Sequence, residues 1–170
     1  MGASSPGFVI VIASHQYQAR EVVNGVSSLL GDTPVIGCSA PASLTMDGHR
    51  TNSVALALLG GDFQAEAQWM PGYAQSGRET GTRLMQLAAA RGDARGMVFF
   101  ADGFNGDAEQ LCNAMPGRPF PLAGGLSSGD LHTGNNYQMV GNQSGSGGLA
   151  AAFVRGNIRL GVGHAHGWNP

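Results

Sequence analysis

The chain has 170 residues, a formal net charge of −2, 42% apolar residues and 28 glycines, a balance that fits one domain whose core is built from small side chains in tight layers. All nine basic residues are arginines, scattered among eleven carboxylates, so the basic stripe of a nucleic-acid binder is missing. The longest apolar runs, such as Met97–Ala101, fall far short of a membrane span, and Met1–Gly7 has neither the basic nor the long apolar region of a secretory signal.

Two cysteines, Cys38 and Cys112, make no disulfide framework, and the chain reads as cytoplasmic with no nucleic-acid and no membrane partner. Gly7–Ser14 is a continuous apolar, β-branched run that predicts a buried strand. Ala19, Val22, Val23, Val26, Leu29 and Leu30 then recur at helical spacing, with Gly31 placed to end the helix. Pro34–Ser39 predicts a second strand running into a small-residue loop. After a polar stretch, Ser53–Leu59 and Phe63–Trp69 read as a hairpin across Gly60-Gly61-Asp62.

A helix from about Gln75 to Arg91 follows, opened by the S-x-x-E spacing of Ser76 and Glu79, with Leu84, Leu87 and Ala88 on its apolar stripe. Gly96–Ala101 then predicts another buried strand, followed by a helix with Ala108, Leu111, Cys112 and Met115 on one face. Pro121–Ser127 predicts a strand into a glycine loop, and Met139–Gly148 a strand end followed by a linker or a mobile lid. Leu149–Val154 and Ile158–Val162 read as a closing hairpin across Gly156-Asn157. On that last strand Ile158, Leu160, Val162, His164 and His166 share a face.

Both halves give strand, helix, P-x-x-G strand, polar loop and hairpin in one order, and both run to a Trp-x-Pro, at Trp69-Met70-Pro71 and Trp168-Asn169-Pro170. The expected fold is α/β. A single domain over 1–170 holds two β-α-β-β repeats, at about 7–92 and about 95–170, related by a pseudo-twofold. Mixed sheets are expected between flanking helices. Because the first copy passes from Trp-x-Pro into a helix, the second reads as cut off after its hairpin, with a partner segment missing. The alternative is two α/β units that share strand and turn grammar without common origin.

Val35-Ile36-Gly37-Cys38-Ser39, Pro121-Leu122-Ala123-Gly124-Gly125-Leu126-Ser127 and His166-Gly167-Trp168-Asn169-Pro170, in this order after the Ala13-Ser14 strand end, resemble the N-terminal domain of the FIST proteins over nearly the whole chain. The resemblance implies a cytoplasmic sensory domain that binds small ligands such as amino acids. It also implies a C-terminal FIST domain and a signalling output domain as partners. Ser127-Ser128-Gly129-Asp130 departs from the alanine-glycine-acid pattern expected there.

The loops Gly37-Cys38-Ser39 and Gly124-Gly125-Leu126-Ser127 are equivalent candidates for cradling a ligand at strand ends, or else glycines that only allow close packing. Neither carries a P-loop lysine, which disfavours nucleotides. A zwitterion fits better, with its carboxylate on backbone N–H groups or an arginine and its ammonium on Asp102 or Asp130. His166 completes the candidate ligand set.

A thiol enzyme would use Cys38 as nucleophile, His166 as base and Asp102 as orienting group, whereas the plainer reading of Cys38 is a small buried residue. Cys112 reads as core. His164 and His166 could meet one metal, but two ligands do not make a site, so no cofactor is expected. The favoured function is non-enzymatic recognition of a small polar ligand with transmission to a partner domain. The alternatives are the Cys38-dependent enzyme and a protein interaction module.

Overall fold

The computed structural model describes residues 6–163, and within them three sheets and three helices make an α/β fold. In chain order they are β1 (Phe8–Ser14), α1 (Ala19–Leu30), β2 (Val35–Ala40), β3 (Ala42–Thr45), β4 (Gly48–Thr51), β5 (Val54–Leu59) and β6 (Phe63–Met70). Then follow α2 (Gly77–Arg91), β7 (Ala94–Asp102), α3 (Ala108–Asn113), β8 (Leu122–Ser127), β9 (Gln138–Val140), β10 (Gln143–Gly145) and β11 (Leu149–Gly156).

The first sheet has the order β10-β9-β2-β1-β5 and the second β6-β11-β7-β8, with β3 and β4 as a separate ribbon. Strand parity stacks the two large sheets face to face. Phe8 and Ile36 of the first meet Ala150, Ala152 and Val154 of the second, so this inner core is largely alanine and valine. The opposite faces carry the helices. Val9, Val11, Ala13 and Val35 pack under Val22, Val23 and Val26 of α1, while Met97, Ala101, Leu149, Ala151 and Phe153 pack under Leu84 and Ala88 of α2 and Leu111 of α3. With both faces covered, the first six residues of β11 are all buried, which is why the sequence reads Leu-Ala-Ala-Ala-Phe-Val without alternation.

Local chemistry sets the helix ends as expected. Ser76 Oγ accepts from the Glu79 backbone N–H at 3.1 Å and Gly92 closes α2 at φ 69°. Arg91 then ties α2 to the second sheet, paired with Glu66 of β6 and stacked 4.8 Å from the centre of the Phe153 ring.

Each sheet holds a parallel pair joined by a helix, β1 with β2 through α1 and β7 with β8 through α3. On its other edge each leading strand pairs antiparallel, β1 with β5 and β7 with β11.

Neither expected hairpin forms. β5 and β6 part at Gly60-Gly61-Asp62 and enter different sheets, because β5 finds a six-residue register on β1 and β6 an eight-residue register on β11. The turn composition was right and the pairing was not. Likewise Ile158–Gly163 forms no strand, since both edges of β11 are already taken by β6 and β7. The Asn157 N–H instead donates to the Asp62 carbonyl at 3.1 Å, joining the two crossing points.

Three further expectations are corrected. Cys112 is exposed, because α3 has only six residues and its buried side is Leu111 with Met115 just beyond the helix. The linker expected after Met139 is β9 and β10, held on β2 and closed over the second sheet. The polar stretch after β2 forms the β3–β4 ribbon. His164, His166 and the second Trp-x-Pro lie outside the described residues. No helix among the described residues is long and apolar enough to cross a membrane.

Candidate functional site

The carboxyl ends of β1, β2, β7 and β8 meet at one end of the stacked sheets, and hydrogen bonds stitch them together. The Ser128 N–H donates to the Ser39 carbonyl at 3.0 Å, Ser39 Oγ donates to the Ser128 carbonyl at 3.0 Å, and the Tyr137 N–H donates to Ser39 Oγ at 2.9 Å. Tyr137 Oη reaches back to the Ser14 carbonyl at 3.0 Å.

Asp102, the last residue of β7, is the electrostatic centre of this seam and is 1% exposed. Its Oδ1 accepts from the backbone N–H groups of Phe104 and Asn105, both at 2.8 Å, and from Asn136 Nδ2 at 3.1 Å. Its Oδ2 accepts from the Gly147 N–H at 2.6 Å. Burial works to raise the Asp102 carboxyl, but the N–H groups of Gly147, Asn105 and Phe104 together outweigh it and hold it below the usual aspartate range. It is an anion fixed by fixed donors.

Around it the polar side chains satisfy one another. Ser127 Oγ donates to Asn136 Oδ1 at 2.8 Å, Gln138 Nε2 donates to Ser127 Oγ at 2.6 Å and to Asn136 Oδ1 at 2.8 Å, and Gln138 Oε1 accepts from the Gly148 N–H at 3.3 Å. Gln138 belongs to the first sheet and Ser127 and Asp102 to the second, so the network bridges the sheets.

Two buried polar atoms have no hydrogen-bond partner among the described residues, His15 Nδ1 and Tyr73 Oη, and both lie at this end. His15 follows the last residue of β1 and its Cβ crowds Gly129, while its carbonyl accepts from Asn135 Nδ2 at 3.2 Å. Tyr73 packs against Gly106 in the turn after Asp102. Burial and the nearby Asp102 and Asp107 carboxylates push the Tyr73 hydroxyl up to about 12, so it stays a donor at neutral pH. Unsatisfied groups of this kind cost stability unless something else binds them.

The residues nominated from sequence fall unevenly on this site. Ser39, Asp102 and Ser127 are in the seam. Cys38 lies opposite Gln138 on the neighbouring strand and makes no hydrogen bond of its own. Gly37, Cys38 and Ser39 are strand residues of β2, and Gly124, Gly125 and Leu126 strand residues of β8, so these are not loops. Their backbone groups serve the sheets, with Gly37 opposite Val11 and Gly124 opposite Phe99. Leu126 is half exposed on the outer edge strand. Asp130 begins the covering loop, its Oδ1 accepting from the His132 N–H at 2.9 Å.

Asn105, Asn136, Gln138 and Gly147 were missed. Asp102-Gly103-Phe104-Asn105 has the composition of an Asx turn, which would have found the first two donors. A glycine run such as Ser144–Gly148 gives no sign that one of its amides meets a carboxylate.

Burial pushes the Cys38 thiol up to about 12, the reverse of what a thiolate nucleophile needs. With Cys38 buried and Cys112 exposed, a thiol-disulfide reagent at pH 8 is expected to titrate one cysteine in the native protein and both after denaturation. Rapid reaction of two native thiols would contradict this placement. Among the described residues, no three His, Cys, Asp or Glu side chains gather into a metal cluster.

A separate open cleft of about 720 Å³ runs between the sheets on another side, lined by Pro34, Val35, Glu66, Gln68, Trp69 and Asn142 among others. None of the nominated residues among those described borders it.

The family model of the FIST N domain matches residues 7–170. It describes a sensory and signalling domain, generally non-catalytic, whose presence implies FIST C or signalling partner domains. No curated protein matches the sequence.

Proposed function

Because the chain belongs to the FIST N domain family, we propose that it senses a small, polar, amino-acid-like molecule at the strand-end seam and passes the signal to a partner domain. The observation that carries this reading is the pair of buried, unpartnered atoms, His15 Nδ1 and Tyr73 Oη, at the end of the molecule where the polar network lies. A bound zwitterion supplies what these atoms lack. The Tyr73 hydroxyl donates to its carboxylate, and its ammonium meets His15 Nδ1 and the Asp130 carboxylate.

Asp102 is not a direct ligand here. Its lone pairs are engaged by Phe104, Asn105, Asn136 and Gly147, so it positions the Gly103–Gly106 turn and the Gly147 loop against which a ligand rests. Of the other nominated residues, Ser39 orders the covering loop through Ser128 and Tyr137, and Leu126 with Gly125 offers an apolar rim. Gly37, Cys38 and Gly124 act through the packing beneath, and His166 lies outside the described residues.

Signalling follows from the bridge between sheets. A ligand that reorders the loop carrying Asn136 must disturb either Ser127 and Asp102 of the second sheet or Gln138 of the first, so occupancy is felt by both. We also read the two β-α-β units, each with its antiparallel third strand, as copies of one unit related by a pseudo-twofold. The matched connections and the equivalent placing of Gly37 and Gly124 opposite Val11 and Phe99 support that reading.

The test is a thermal-shift screen of the amino acids against the domain with its partner domain present. At a hundredfold excess over Kd, stabilisation of about 2.7 kcal/mol is expected for the cognate ligand. Tyr73→Phe should reduce that shift without lowering the unliganded melting temperature, since the hydroxyl has no partner to lose. No shift with any amino acid would remove this ligand class.

A further inference from the structure

The outer edge of β5 is unlike the rest of the surface. Its sequence is Val-Ala-Leu-Ala-Leu-Leu, with no charge, proline or glycine to discourage pairing, and among the described residues no strand lies beside it. Val54, Leu56, Leu58 and Leu59 are 40%, 41%, 59% and 36% exposed. Beside them Leu29 of α1 is 84% exposed, although it lies on the stripe that buries Val22 and Val26. Leu29, Val54, Leu56 and Leu58 line an apolar groove of about 780 Å³, rimmed by Gln16, Gln18 and Glu21.

The second sheet shows what such a surface receives. There β11 occupies the place that β5 has in the first sheet, antiparallel to the leading strand of a β-α-β unit. β11 is covered on its free edge by β6, through eight paired positions, and the helix that follows β6, α2, packs beside α3 over the same core. Two glycines of α2, Gly77 and Gly81, bring it against the backbone of α3 at Asp107 and Leu111. On the first sheet α1 stands where α3 stands, and Gly25 on its exposed side has open space around it. Among the described residues, a strand and a helix are present on one sheet and lacking on the other.

We infer that the β5 edge and the α1 groove are the docking surface for the FIST C partner domain, which contributes a β-strand antiparallel to β5 followed by an amphipathic helix whose leucine and alanine side chains fill the groove beside α1. This rests on the signalling function and on the paired-unit reading proposed above. The chemistry of the occupant is that of β6 and α2: an extended strand that pairs with the free β5 edge, and an apolar helical stripe facing Leu29, Leu56 and Leu58. It is a strand addition reinforced by a helix in a groove. It also gives ligand binding a route outward, since β1 joins β5 directly to His15.

Alkylation tests it. In a Cys112→Ser background, Leu58→Cys, Leu29→Cys and Leu44→Cys each add one exposed thiol, the last on the β3–β4 ribbon, outside the groove lining and exposed to 83%. Iodoacetamide labelling is measured for the FIST N domain alone and for the protein carrying its FIST C domain, without ligand, so the result stands apart from the thermal-shift screen. Labelling at Leu58→Cys and Leu29→Cys should slow at least tenfold when the partner domain is present, with Leu44→Cys unchanged. Leu58→Glu, at an already exposed site, should restore fast labelling of Leu29→Cys while leaving the melting temperature of the isolated domain in place. Equal rates with and without the partner domain overturn the proposal. So does slow labelling in the isolated domain accompanied by a doubled mass, which would assign the surface to a second copy of this chain.

Discussion

Replacing Asp102 with alanine is expected to destabilise the domain by about 3 to 5 kcal/mol, since each buried donor left without an acceptor costs roughly 1 to 3 kcal/mol and neighbouring losses do not add fully. The Phe104, Asn105 and Gly147 N–H groups and the Asn136 amide all lose their acceptor at once. Asp102→Asn should cost less but still measurably, because one of its two carboxamide positions must present an NH2 to a donor. Denaturant melts of the three proteins at pH 7 measure both.

The same carboxylate sets an acid limit. Its folded pKa lies below the unfolded value of about 3.9, so its contribution is complete above that value and is lost as pH falls through the lower folded one. Asp102→Asn should therefore flatten the acid limb of the stability curve. An acid limb as steep as that of the original protein would show that another carboxylate governs it.

The second large effect is expected at Gly37 and Gly124. A Cβ on Gly37 would sit inside the contact distance of the Val11 carbonyl, and one on Gly124 would meet the Phe99 carbonyl, so the obstacle is backbone in both places. Gly37→Val and Gly124→Val are each expected to cost about 3 kcal/mol, the upper range for overpacking where the neighbour cannot yield. Gly25→Ala is the contrast. Gly25 sits inside α1 with nothing within 4 Å of an added Cβ, so alanine there should stabilise by about 0.5 to 1 kcal/mol. Urea midpoints of the three variants give the comparison, and a neutral Gly37→Val would mean that β1 and β2 do not run in the register described.

These glycines show how far the sequence carries. β1, β2 and β7 were legible as continuous apolar runs, β8 because Pro121–Ser127 repeats the Pro-led pattern of β2, and α1 and α2 because their stripes and ends follow helical rules. The expected hairpins failed for a physical reason. Turn chemistry at Gly60-Gly61-Asp62 fixes where the chain bends, whereas pairing is decided by which strands can offer a longer register and a covered face, and those partners are distant in sequence.

The site was half legible. Asp102 was nominated as the partner of a ligand ammonium and as the orienting group of a thiol enzyme. Its role was not legible, because two of the four donors that fill its lone pairs come from Asn136 and Gly147, distant in sequence and in glycine- and amide-rich stretches. The glycines Gly37 and Gly124 were read either as ligand contacts or as close-packing positions, and a Cβ at either would meet the backbone of the adjacent strand. Composition alone cannot separate those two uses of a missing side chain.

The most direct measurement of the central claim is the map of backbone amide shifts in the labelled domain as the cognate amino acid is titrated in. Recognition at the strand-end seam predicts saturable shifts at His15, Gly103–Gly106, Ser128–Asp130 and Gly147, with smaller ones at Gln138 across the sheet boundary. Shifts confined to Thr33, Val35, Trp69 and Asn142 would place the ligand in the open cleft instead and contradict the account.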